Sequence, residues 1–188
     1  MLLVETSRAY GRGLVEGIGR YVEEHGPWSI YFEERGLLDP LPKWLKHWQG
    51  DGIISRTVRK ADIERLRATH LPVVELYADP CLGLPRAYPD PSAVARLAAE
   101  HFLDRGFRRF AFFCTDRAWW MNARRDVFVA ELQRCGFSCE CFSAHRQRDL
   151  ASQTQTDQRE VARWLSALPK PCGVFCASDL YAARLLDA

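Results

Sequence analysis

Gln49-Gly50-Asp51-Gly52-Ile53-Ile54 and, about twenty residues on, Leu71-Pro72-Val73-Val74-Glu75-Leu76 decide the class of fold. Each is a short apolar run, rich in β-branched residues and entered through turn-forming ones, which is the pattern of a buried strand. Residues 60–68 between them carry apolar side chains at helical spacing. A strand, a helix and a second strand in that order make a parallel pair with a crossover helix.

The same alternation extends in both directions. Upstream, residues 2–5 form a strand. Residues 9–25 form an amphipathic helix with Leu14, Val15, Ile18, Tyr21 and Val22 on its apolar side, stopped by Gly26-Pro27. A second strand is expected over 28–32, and a short helix over 42–49 opens with proline in its first turn. Downstream, helices are expected over 92–105 and 123–135, closed by Gly106 and Gly136, and over 158–167. Strands are expected over 108–114, 137–142 and 172–177. A polar loop runs through Thr156, and a last helix begins at Asp179. The fold class is therefore α/β: two lobes, each a parallel sheet flanked by helices. The turn-rich residues 79–91 place the lobe boundary, giving a first lobe over 1–90 and a second over 91–188. The second lobe has only about three strands, thin for a covered parallel sheet. It is expected to be incomplete, and the chain a fragment of a longer one.

Bulk properties exclude several function classes. Of 188 residues, 47% are hydrophobic and 27% charged, as in an ordinary globular protein. Basic and acidic residues number 26 and 24, so the net charge of +2 gives no field suited to nucleic acid. The opening Met1-Leu2-Leu3-Val4-Glu5 lacks the basic start and the apolar length of a signal peptide. No apolar stretch approaches the roughly 20 residues of a membrane span. The seven cysteines are an odd number without a disulfide rhythm, so free thiols and a cytoplasmic setting are expected.

A nicotinamide-dependent, Rossmann-type enzyme is the strongest rival reading. Gly11, Gly13 and Gly17 follow a strand and open a helix, and Glu33 and Glu34 lie roughly where a ribose-binding acid would fall. Yet Thr6 to Tyr10 separate the glycines from the strand end. That places them on the helix, where Gly13 and Gly17 would share one face suited to packing on the sheet. Cys135, Cys139 and Cys141, and likewise Cys172 and Cys176, lack the spacing of a zinc knuckle. No nucleophile elbow and no phosphate-binding glycine loop occurs. A receiver-like signalling domain would need clustered aspartates where Glu5-Thr6-Ser7 stands. The chain is not expected to be an enzyme or to carry a cofactor or metal.

Several runs resemble the sugar-sensing domain of the lactose-repressor-like, periplasmic-binding-protein-like superfamily: residues 49–54, residues 71–76, Asp90 with 98–103 and 106–110, and Ala177-Ser178-Asp179. A narrower resemblance is to the xylose-responsive regulators. It rests on Ser7-Arg8-Ala9-Tyr10-Gly11-Arg12-Gly13-Leu14-Val15-Glu16-Gly17-Ile18-Gly19-Arg20-Tyr21, on Trp28-Ser29-Ile30 to Phe32-Glu33-Glu34, on Trp44 to Gly50-Asp51-Gly52, and on Trp164-Leu165 to Leu168-Pro169. In that family the sensing domain comes first and an arabinose-regulator-type DNA-binding domain follows. No helix-turn-helix precedes Leu2 here, which fits the xylose type and departs from the lactose type. The resemblance implies an effector-sensing domain for a sugar, D-xylose above others, taken up between the lobes. It also implies a homodimeric parent that binds DNA through a domain outside this chain, with no membrane partner.

Arg124 is the first candidate contact. The resemblance implies that an arginine here binds sugar hydroxyls, and a guanidinium offers five fixed donors to such acceptors. Asp90 and Asp179 can accept strong charged hydrogen bonds from hydroxyls, and both also stand where a helix needs an N-cap. Ser178 adjoins Asp179. Ser7, Arg8 and Tyr10 occupy the loop after the first strand, where an α/β lobe presents ligand groups. Tyr10 could stack on the apolar face of a sugar ring. Arg56 and Tyr77 are weaker candidates by position, and Trp119 and Trp120 border the second-lobe loop, one lining the site and the other packing.

Overall fold

The computed structural model describes residues 1–77, 79, 83–115, 118–142 and 158–188. The expected polar loop through Thr156 lies outside them, apart from its surroundings. The chain falls into two compact units, Met1–Tyr88 and Pro89–Ala188.

In the first unit, β1 (Leu2–Leu3), β2 (Ile53–Ser55) and β3 (Val73–Glu75) form a parallel sheet in that spatial order. Leu2 pairs with Ile54, and Ile53 with Val73. Helix α1 (Ala9–His25) follows β1, a 3₁₀ helix (Lys43–His47) precedes β2, and α2 (Lys60–Arg67) links β2 to β3. Leu3, Leu41, Leu45, Ile53, Ile63, Leu66 and Val73 fill the core.

The strand expected over 28–32 shrinks to a single parallel bridge between Leu2 and Phe32. Trp28, Ile30, Tyr31 and Phe32 stay substantially exposed. Their rings find each other instead: Tyr21 contacts Trp28 at 5.6 Å, and Tyr31 contacts Trp48 at 4.9 Å and Trp44 at 5.5 Å between centroids. An outermost segment has one neighbour for hydrogen bonding, so aromatic content alone did not produce a strand.

A second correction concerns the glycines. Gly13 and Gly17 face open space, and Gly11 makes the close approach. A Cβ on Gly11 would lie 1.9 Å from the Glu5 carbonyl oxygen, so only glycine lets α1 start this close to the end of β1.

In the second unit, β4 (Phe110–Phe113) is central, with β5 (Cys139–Cys141) on one side and β6 (Gly173–Cys176) on the other, all parallel. Around them lie α3 (Pro91–Asp104), α4 (Trp119–Arg134), α5 (Gln158–Ala167) and α6 (Asp179–Leu186). Every residue of β4 is buried, as a strand covered on both faces must be. Phe112 and Phe128 meet Phe175, while Phe113 and Phe142 meet Trp164. Gly106 and Gly136 take positive φ, 78° and 82°, and close α3 and α4 as expected. Helix α4 starts four residues before the expected Ala123: extended Ala118 is its N-cap, and its carbonyl accepts from Met121 and Asn122. Trp119 and Trp120 thus belong to the first helical turn rather than to a loop. No helix among the described residues is long and apolar enough to cross a membrane.

Candidate functional site

Both sheets place polar groups at the carboxyl ends of their strands, and each has a point where successive connections leave in opposite directions. In the second unit that point is the end of β4, flanked by β5 and β6. In the first it is the end of β1, which bridges Phe32 on one side and pairs with β2 on the other. Ligands of open α/β sheets bind at such points.

In the second unit, Arg124 lies on the second turn of α4, with its guanidinium 4.8 Å from the centroid of Trp120. Its Nη1 donates to the Ala177 carbonyl at 2.6 Å. Ala177 follows β6 directly and precedes Ser178 and Asp179, so this bond ties Arg124 to the strand end that carries both other candidates. The planar cation is held by a flat ring and a carbonyl, and its orientation is set before any ligand arrives.

Ser178 is the N-cap of α6, but its hydroxyl makes no capping bond. Asp179 is the first helical residue rather than the cap, and it is exposed. Asp90 does cap α3, since the Ser92 N–H donates to its Oδ1 at 2.8 Å. Its other oxygen lies 3.9 Å from Arg96 across exposed surface.

In the first unit, Ser7 and Arg8 follow β1, and Arg8 takes the extended N-cap conformation of α1 without a side-chain cap bond. Tyr10, on the first turn of α1, is 45% exposed. Its ring faces the Arg56 guanidinium at 5.1 Å, and Tyr77 faces the same guanidinium at 5.1 Å. Arg56 is thereby sandwiched between two tyrosines at the strand ends, a placement that raises it above the weak candidate it was by position.

Beneath this sandwich lie groups that the sequence pattern did not single out. Glu5 is fully buried, and Arg56 Nη1 donates to its Oε1 at 2.5 Å. Glu75 is equally buried, and the Thr57 N–H donates to its Oε1 at 2.8 Å. Burial pushes the Glu75 carboxyl up to about 7, against the opposing pull of hydrogen bonds from Thr57, Ser55, Tyr77 and Leu76. Asp62 completes the row, buried, with Arg59 and Arg65 at 3.7 and 3.5 Å. Glu5 and Glu75 sit in apolar strand runs, where a lone carboxylate is the only signal; a buried charge calls for a partner.

A family model described as the XylR N-terminal domain matches residues 1–96, just over half the chain. The chain belongs to the XylR N-terminal domain family. A second model, the periplasmic binding protein-like domain, matches residues 99–188 of this XylR-type chain. The xylose operon regulatory protein of Haemophilus influenzae is 27% identical over 199 residues, covering 100% of this chain and 50% of its own length. That of Escherichia coli K12 is 28% identical, over 99% and 49%. The solved structure of the xylose-binding transcription activator XylR superposes with a TM-score of 0.78 at 25% identity, over 99% of this chain and 48% of that one. The XylR-type chain thus spans about half the length of the relatives it matches, and its fold is of the periplasmic binding protein-like type. These relatives are named as regulators, which leaves the dinucleotide-dependent enzyme without support.

Proposed function

We propose that this chain is the effector-sensing part of a DNA-binding transcription regulator of a sugar-utilisation operon, with D-xylose as effector. The observation that carries the reading is the Arg124 guanidinium, fixed by Trp120 and the Ala177 carbonyl at the end of β6, on a chain of the XylR N-terminal domain family.

A pentose offers a ring of hydroxyls and one apolar face. Arg124 donates to hydroxyl oxygens, while Asp179 and Asp90 accept from hydroxyls, which together define neighbouring oxygens. Ser178 adds a hydroxyl that can do either. Taken by itself, the first unit carries at its strand ends a flat ring, Tyr10, and the polar groups of Ser7 and Arg8, which are its own candidates for sugar contact. The sugar can shift the protein only by the difference in its affinity for two arrangements. In the parent protein, a cytoplasmic homodimer, that shift is read out by a DNA-binding domain outside these 188 residues.

Calorimetric titration of the full-length regulator against xylose, its epimers and a set of hexoses tests this. Saturable binding strongest for xylose is expected. Absence of binding by every sugar, with saturable binding of a nicotinamide cofactor, would replace the sensor reading by the enzyme.

A further inference from the structure

Cys139 and Cys141 occupy alternate positions of β5, one of the two outer strands of the second sheet among the described residues. Alternate residues of a strand project from one face. The register fixes which face: Cys139 pairs with Phe110 and Cys141 with Phe112, on the side where Phe112 and Phe175 pack on α4. Cys141 is exposed and Cys139 partly buried. We propose that Cys139 and Cys141 form a two-sulfur binding site on the sheet edge for a thiophilic centre of the trivalent arsenical class.

Geometry selects this ligand over a disulfide. Two residues of extended chain separate Cα atoms by about 6.7 Å. That is the top of the range a disulfide accepts, well beyond its usual span of roughly 5.5–6 Å. An atom bonded to both sulfurs at about 2.3 Å each relaxes the demand, because the sulfurs then stand roughly 3.5 Å apart rather than in direct bonding contact. Thiolates are soft ligands that select thiophilic centres, and a trivalent arsenical is satisfied by two of them.

One thiol is primed to react. The neighbouring Cys139 thiol, with Arg125 nearby, draws the Cys141 thiol below its ordinary range, while the Cys139 thiol is pushed up. The chemistry needs no oxidant. A trivalent arsenic oxide, R–As=O, loses its oxygen as water, the two thiols supply both protons, and two As–S bonds form.

Phenylarsine oxide is the probe, added to the whole chain under a large excess of glutathione and followed by intact-mass spectrometry. One phenylarsenic group should be gained with loss of one water, and released by 2,3-dimercaptopropanol. C139S and C141S should each abolish the glutathione-resistant adduct, and C135S and C172S should keep it. Peptide mapping of the unaltered chain, which does not depend on how any variant folds, should place the adduct on the peptide bearing both cysteines. An adduct that survives in C139S or C141S, maps elsewhere, or never forms overturns the site.

Discussion

Arg56 Nη1 lies 2.5 Å from Glu5 Oε1, and the carboxylate of that pair has no exposure to water at all. The pair spans β1 and β2 at their carboxyl ends and holds Arg56 between Tyr10 and Tyr77. Burying two charges is costly, so the pair is better understood as fixing a guanidinium in place than as stabilising the fold.

Removing one partner should therefore be far worse than the pair is good. Arg56→Met strands the Glu5 charge in a dry site and should destabilise the first unit by about 3–5 kcal/mol. Glu5→Gln combined with Arg56→Met removes both charges and should recover much of that loss. Hydrogen exchange at the β1–β3 amides reads the first unit alone, without assuming that both units unfold together. If the double variant is no more stable than Arg56→Met, the buried charge is not the cause.

Glu75 makes stability depend on pH. Its carboxyl titrates at about 7 when folded, against 4.5 as the ordinary value. Between those values the folded state binds more protons than the unfolded one, so stability falls as pH rises from 4.5 to 7 and is flat above. The full excursion is on the order of 3 kcal/mol. Glu75→Gln keeps an acceptor for the Thr57 N–H and should flatten the profile. A wild-type profile already flat between pH 5 and 8 would remove Glu75 from this role.

The glycines of α1 should respond in opposite directions. Gly11→Ala drives a methyl group into the Glu5 carbonyl and should cost about 3 kcal/mol or more. Gly13→Ala meets nothing and should gain roughly 0.5–1 kcal/mol from helix propensity. Thermal melts of the two variants give the comparison directly.

These glycines also show where reading the sequence succeeds and where it stops. Periodicity located α1 and α5 to the residue, and every parallel strand except that over 28–32, because those signals lie in neighbouring side chains. Which glycine touches the sheet depends on the angle at which α1 leaves β1, and no local pattern carries that. Trp119 and Trp120 were misplaced in a loop because nothing in Trp119-Trp120-Met121-Asn122 marks a helix start; extended Ala118 does so only in three dimensions. Arg124 was found through a resemblance, whereas the bond to Ala177 that orients it spans 53 residues. The Glu5–Arg56 pair spans 51, and charges that meet at such distances leave no periodic trace.

Arg124→Ala should weaken xylose binding by the full-length regulator at least tenfold, about 1.4 kcal/mol, as expected for losing charged hydrogen bonds. Arg124→Lys keeps the charge but not the planar fork that rests on Trp120, so it should recover only part of the affinity. An unchanged dissociation constant in the alanine variant takes Arg124 out of the site.

Asp90 is the residue at which capping and sugar recognition can be separated. Its Oδ1 caps α3, while among the described residues Oδ2 makes a long contact with exposed Arg96, which is worth little. Asp90→Ala should lose about 1 kcal/mol of stability through the cap alone. Asn caps as well as Asp, so Asp90→Asn should leave the melting temperature nearly unchanged. It also replaces a charged acceptor by a neutral one, and hydrogen bonds to ions are roughly twice as strong. Weaker xylose binding by Asp90→Asn at unchanged stability would assign the carboxylate to the sugar. Unchanged binding would leave Asp90 as the cap of α3 and nothing more.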